Sequence, residues 1–326
     1  MNAPHASFAA TPLAIALVLG GCGAGEARVQ GAERPTDLRA VVASGPMTRE
    51  QAERYMLALV NEDRADHGLP PLAWDETAAR AARRHAEDMA SHGFTAHWGS
   101  DGSVPELRYT EAGGEDAAFE NVGCFVDGMP QRLAPDALYP AEGLERFERA
   151  FMAEVPPNDG HRRNILSRWH TALGVGVAIV EDSIIPCVAQ EFVDDHGSYA
   201  PLPRGIAVGD FVQIKGELRQ PAELFAVGVA RVDAPKPRTA EELNRTRGYV
   251  VPDPYELFSP RKLREPFPRP PRVLSQQGNG FSLGLALQDD GKPGLYEISV
   301  WARLPGAAEA RLVSLRTLHA EPRPPR

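Results

Sequence analysis

The sequence predicts an α+β protein in two parts, a domain of helices followed by strands and then a β-sandwich. Three observations carry that prediction. Helical spacing of apolar residues, with cap residues in place, recurs in three segments between Thr48 and about Glu154. Strand-like apolar runs begin at Ala172. After Pro201 the texture changes to short runs that alternate apolar and polar residues. Helices and strands in separate runs indicate α+β and not a parallel α/β sheet. The length of 326 residues is enough for about two domains.

The first helix opens on Thr48-Arg49-Glu50-Gln51, a capping-box pattern. Ala52, Met56, Leu59 and Val60 then share one face, and Gly68, Pro70 and Pro71 stop it. The second helix starts after Asp75 and ends at Gly93. Its narrow stripe of Ala78, Ala82, Ala86, Met89 and Ala90 admits a close neighbour. A third helix is expected from Ala141 to about Glu154, with Leu144, Phe147 and Phe151 on one side, then a helical turn from His161 to Leu166. Ala172–Ile179 and Ile184–Val193 read as two strands joined by the turn Glu181-Asp182-Ser183. Further strands are expected at Phe211–Lys215, Leu224–Val232, Phe281–Leu287, Tyr296–Leu304 and Leu312–Leu318. Together these read as an immunoglobulin-like sandwich. Pro252 to Arg272, with seven prolines and five basic residues, reads as an extended loop inserted into it.

Composition narrows the function classes. Net charge is −9 and there is no long Lys/Arg block, which argues against a general nucleic-acid binder. A hydrophobic content of 43% argues against wholesale disorder. Three cysteines are too few for a disulfide scaffold.

At the N-terminus, Phe8 to Leu19 is an apolar run too short to span a bilayer comfortably. It ends in Leu19-Gly20-Gly21-Cys22, which resembles a bacterial lipobox. No Lys or Arg precedes the run, a departure from the usual signal. The expectation is a lipoprotein signal over 1–22, lipidation at Cys22, and a flexible tether over 23–46. The chain would then be lipid-anchored in a bacterial cell envelope, at the outer membrane or surface where two membranes exist, or otherwise secreted. Cys124 and Cys187 remain, either as a bridge in an oxidising compartment or as two buried thiols.

An ordered series of blocks runs through the first domain. Leu59-Val60-Asn61-Glu62-Asp63-Arg64 is followed by Gly68-Leu69-Pro70-Pro71-Leu72 and by Ala82 to Met89. Phe94-Thr95-Ala96-His97, Arg108, Ala112-Gly113 and Glu120-Asn121-Val122-Gly123 come next. Gly160-His161-Arg162-Arg163-Asn164-Ile165-Leu166 and Val188-Ala189-Gln190-Glu191-Phe192 complete it. The series resembles the CAP superfamily, which groups cysteine-rich secretory proteins, antigen 5 and pathogenesis-related 1 proteins, in its bacterial secreted branch. The resemblance implies an α-β-α sandwich domain over 47–198, leaving 199–326 to the β-sandwich. It also implies a cleft of two His and two Glu: His97, His161, Glu120 and, three residues after the aromatic Phe151, Glu154. Glu148 is the rival for the last place.

Neutral imidazoles are good ligands for Zn²⁺ and similar cations. Carboxylates beside them fix the ring tautomer and offset the charge. The set suits a weak, solvent-accessible divalent site with His97 and His161 as ligands and Glu120 and Glu154 behind them. It lacks the three protein ligands usual in catalytic zinc sites, and no His-Glu-x-x-His occurs. A metal-free polar cluster bracing the helices is the alternative. The expected function is a module that binds an envelope or extracellular ligand, such as a lipid or cell-wall component. A hydrolase using Glu120 and Glu154 is the second reading. His85, Asp88 and His92 are expected on a solvated helix face, His67 and His170 beside surface turns, and Arg162 and Arg163 as exposed helix residues. Ser100 and Ser103 lack a nucleophile-elbow sequence.

Overall fold

The computed structural model describes residues 45–246, 248–261 and 272–323. The expected signal, Cys22 and nearly all of the tether lie outside the described residues, as does the middle of the Pro-rich stretch. Among the described residues, no helix is long and apolar enough to cross a membrane.

Helix α1 (Arg49–Asp66) begins where its caps dictate. Thr48 accepts from the Gln51 backbone, and the Gln51 side chain accepts from the Thr48 N–H. Helix α2 (Glu76–His92) is capped by the Asp75 side chain, which accepts from Ala78 N. It ends at Gly93, whose φ of 74° is left-handed and suits glycine. Helices α3 (Pro105–Glu111), α4 (Ala141–Met152) and α5 (Gly160–Ile165) follow. Strands β1 (Ala73–Trp74), β2 (Ala117–Gly123), β3 (Ala172–Ala178) and β4 (Cys187–Asp194) form one sheet in the order β1-β3-β4-β2. β1 runs parallel to β3, and the other pairs are antiparallel.

Strand β3 explains the layering. Its residues alternate in size, and side chains in a strand alternate between faces. Leu173, Val175 and Val177 join Met56 and Val60 of α1 and Leu144, Phe147 and Phe151 of α4 in one core. Gly174 and Gly176 turn the opposite way, onto α2, where an added Cβ would overlap the backbones of Ala79 and Arg83. The alanine stripe of α2 and these two glycines are therefore halves of one close contact. Each large side chain fully buried here stabilises the fold by roughly 1.5–3 kcal/mol.

The second part pairs two sheets over one core. β5 (Gly197–Tyr199), β6 (Gly205–Ala207), β7 (Phe211–Leu218), β8 (Glu223–Val232) and β9 (Glu256–Ser259) come first. β10 (Arg272–Val273), β11 (Ser275–Gln277), β12 (Gly280–Ala286), β13 (Gly294–Arg303) and β14 (Arg311–Glu321) complete the set. One sheet has the order β10-β9-β8-β13-β14-β6 and the other β11-β12-β7-β5. β7 buries Val212, Ile214 and Leu218 and leaves Phe211, Gln213 and Lys215 exposed, as the two-residue period requires. The expected immunoglobulin-like sandwich is met at the level of two facing sheets. The Pro-rich stretch, expected as loop throughout, carries strand β9, which pairs antiparallel with β8. The two parts touch where β14 meets β2 and α3. Ala117 packs with Leu312 and Leu315, and Thr317 N donates to the Thr110 hydroxyl at 3.2 Å.

Candidate functional site

β2 is an outer strand of its sheet, and its consecutive residues Glu120 and Asn121 point to opposite faces. Glu120 fixes the surroundings of His97, and Asn121 those of His161.

On one face, the chain leaves α2 at Gly93, buries Phe94 and returns along 95–104 with His97. His97 Nδ1 lies 2.9 Å from Glu120 Oε1. The other oxygen, Oε2, accepts from Arg108 Nη2 at 2.6 Å. Arg108 also donates to the carbonyls of Ser103 (2.9 Å) and His97 (3.0 Å), so one guanidinium fixes both the carboxylate and the loop. His85 Nε2 lies 2.7 Å from the Ala96 carbonyl and 3.8 Å from Glu120 Oε1. Burial by itself pushes the Glu120 carboxyl up. The charge of Arg108, helped by His85 and His97, outweighs that and holds it well below the usual carboxylate range. Burial, reinforced by Arg108, lowers the His85 imidazole to about 4, so it is neutral.

On the other face, Asn121 Nδ2 donates to the His161 carbonyl (3.1 Å) and to Gln190 Oε1 (3.0 Å), while its own oxygen accepts from Asn164 (2.9 Å). Gln190 in turn donates to Glu148 at 2.8 Å. Glu154 stands just beyond the end of α4. It accepts from the His161 backbone N–H at 2.9 Å and pairs with His161 Nδ1 at 2.5 Å. The Phe151 ring lies 4.4 Å from the His161 ring.

Both imidazoles are thus engaged by a carboxylate at Nδ1. In the neutral ring that leaves Nε2 as the lone-pair atom, the arrangement expected of a ligand with an outer carboxylate behind it. The side chains of His97 and His161 keep 20% and 28% of their surface, whereas Glu120 and Asn121 are buried. Among the described residues, no group of three or more His, Cys, Asp or Glu side chains is placed to hold a metal ion. Glu148, the rival of Glu154, is buried against Gln190 and pushed up to about 8 by burial and by the charge of Asp63.

Cys124, just after β2, is bonded to Cys187 at the start of β4, with Cα atoms 4.2 Å apart. Ser100 donates to Asp88 through its backbone and its hydroxyl, and Ser103 is buried. His67 is exposed, as is Arg163, while Arg162 is half-buried. The half-buried Arg162 departs from the exposed position expected of it, and two further expectations are corrected. His85 is fully buried beside Glu120 and not on a solvated face. His170 is buried, with Nδ1 2.5 Å from Asp194 and its ring between Phe119 and Phe192. The signal for His85 was present: it falls three residues after Ala82 and four before Met89, on the apolar stripe. Arg108, Asn164 and Gln190 lie within the quoted blocks, but nothing local in the sequence indicates which partners they reach.

An α-β-α domain with paired His–Glu dyads at an edge strand is the class that the fold and the site define. Residues 57–187 match the CAP model, the cysteine-rich secretory protein family. Two relatives come from Bacillus subtilis strain 168. The uncharacterized membrane protein YlbC is 31% identical over 132 residues, covering 39% of this chain and 31% of its own. The uncharacterized protein YkwD is 28% identical over 133 residues, 41% of this chain and 45% of its own. The match therefore spans less than half the length of either relative. Among solved structures, an extracellular protein containing a SCP domain from Bacillus anthracis str. Ames is 25% identical, with a TM-score of 0.34, over 46% of this chain and 45% of that one.

Proposed function

We propose that this chain is an extracytoplasmic, envelope-anchored CAP-domain lipoprotein that binds a ligand or partner at the His97–His161 site. The site would hold a divalent cation weakly, Zn²⁺ being the best match for two imidazoles. The observation that carries this reading is the pairing of each Nδ1 with its own carboxylate, Glu120 for His97 and Glu154 for His161. That pairing orients Nε2. Two protein ligands leave coordination positions to water or to a bound ligand, which suits reversible binding. The hydrolase reading has less support, because Glu120 is buried, ion-paired and kept ionised, which makes it a poor proton donor.

Calorimetric titration of Zn²⁺ against the wild type and a His97→Ala, His161→Ala double variant tests the site. Heats of binding are expected in the wild type and absent in the variant; equal heats would remove this pair as ligands. The lipobox-like Leu19-Gly20-Gly21-Cys22 supports the anchor. Growing cells fed a clickable fatty acid are expected to label the wild type and not Cys22→Ala. An unlabelled wild type would leave secretion without an anchor.

A further inference from the structure

After β8 the chain leaves the sandwich and crosses onto the loop that carries His97 before returning at β9. Separate contacts fix the crossing. The Arg238 N–H donates to the Ser100 carbonyl at 2.8 Å. The Lys236 backbone lies so close to Gly102 that an added Cβ would overlap it. The Arg238 guanidinium sits over the Trp98 ring at 5.2 Å, and Tyr249 meets the same ring edge-on at 5.2 Å. A short helix, α6 (Ala240–Asn244), buries Leu243 in the core formed by Ala86, Met89 and Phe94. At its end, Asn244 Oδ1 accepts from Thr95 N at 2.9 Å and Nδ2 donates to the Gly93 carbonyl at 3.2 Å.

Gly93 to Thr95 follow a helix terminus, where peptide groups lose their intrahelical partners and need others. Asn244 supplies two of them, four and two residues before His97. Trp98, the residue after His97, is held by a cation and an aromatic edge from the same crossing.

We infer that this crossing is a clamp that positions His97 against Glu120, with Asn244 and Arg238 as positioning residues. The sandwich thereby sets the geometry of a site that lies in the CAP domain. The inference deepens the binding reading above, since His97 is half of that site. It stands on loop geometry, however, and its test does not depend on a metal.

The test uses the full chain in detergent, as wild type, as an Arg238→Ala, Asn244→Ala double variant, as Asn244→Asp, and as Glu241→Ala on the exposed side of the same helix. Hydrogen exchange is followed at 94–103, with β3 amides as the internal reference. Losing two modest hydrogen bonds and a ring contact is expected to speed exchange in 94–103 by about tenfold in the double variant. β3 and the Glu241→Ala control stay unchanged. The His97 ring resonance, read at one fixed pH, moves, and that of His161 keeps its position. Asn244→Asp keeps the acceptor for Thr95 and falls between the two; it decides the matter should the double variant not fold. Unchanged exchange at 94–103, or acceleration shared equally with β3, overturns the clamp. Zn²⁺ titration separates the two readings. Absence of binding in every form removes the metal and leaves the clamp standing on exchange and the ring signal. Equal binding by wild type and a variant with a loosened loop overturns positioning.

Discussion

Glu120 on β2 and Glu297 on β13 are both buried carboxyls on sheet strands, and the protein keeps them in opposite charge states. At Glu120, burial is overridden by the Arg108 guanidinium 2.6 Å away, and the group stays ionised. At Glu297, burial and the charge of Glu106 act in the same direction and push the carboxyl up to about 9. Glu106 is itself raised, chiefly by burial, against the lesser pull of the Tyr249 hydroxyl and Arg108. Depth alone therefore decides nothing. A buried acid with an apposed cation becomes a fixed negative charge that can orient an imidazole, and one facing another acid is driven to the neutral form. The first kind organises the candidate site, and the second lies where the two parts of the molecule meet.

The comparison breaks most visibly if Glu120 is given the surroundings of Glu297. Arg108→Leu removes the counter-charge and also the donor to Ser103 and His97. Leaving a buried charge unpaired is expected to cost about 3–5 kcal/mol in chemical denaturation at neutral pH. A loss below about 1 kcal/mol would mean that Glu120 needs no partner, because it accepts a proton or water instead.

Much of this was legible in the sequence where the controlling interaction is local. Thr48 with Gln51 and Asp75 with Ala78 lie three residues apart, so the starts of α1 and α2 could be read directly. The alternation of β7 and of β3 also lies within single segments. Strand β2 is a different case: Glu120-Asn121 is legible as a motif, but no local pattern marks the strand that turns the two residues to opposite faces. His170 reads as a surface residue in the sequence because its partner Asp194 arrives only through the β3–β4 register, which sets Ala172 opposite Val193. The crossing over His97 was invisible for the same reason. Asn244 and Thr95 are 149 residues apart, and no periodicity joins them.

The smaller effect concerns Glu297 and sharpens the comparison through pH. Its folded value of about 9 lies above the ordinary 4.5, so the native state holds a proton that the unfolded chain has released between those values. The stability linked to that proton is fully present below about pH 4.5 and is lost as pH rises toward 9. Glu120 has the opposite sign: its contribution is present above 4.5 and is lost as pH falls below it. Asp116 and Glu148, each raised to about 8, decline in the same direction as Glu297, so the wild-type curve by itself cannot isolate one group. The difference from Glu297→Gln can. Glutamine keeps the shape and can donate to Glu106, but it never ionises. Urea midpoints at pH 5, 7 and 9 are expected to diverge, the wild type losing stability faster by up to about 1.4 kcal/mol per pH unit. Parallel curves would mean that Glu297 is already ionised in the folded protein, and the contrast with Glu120 would then rest on position and not on charge.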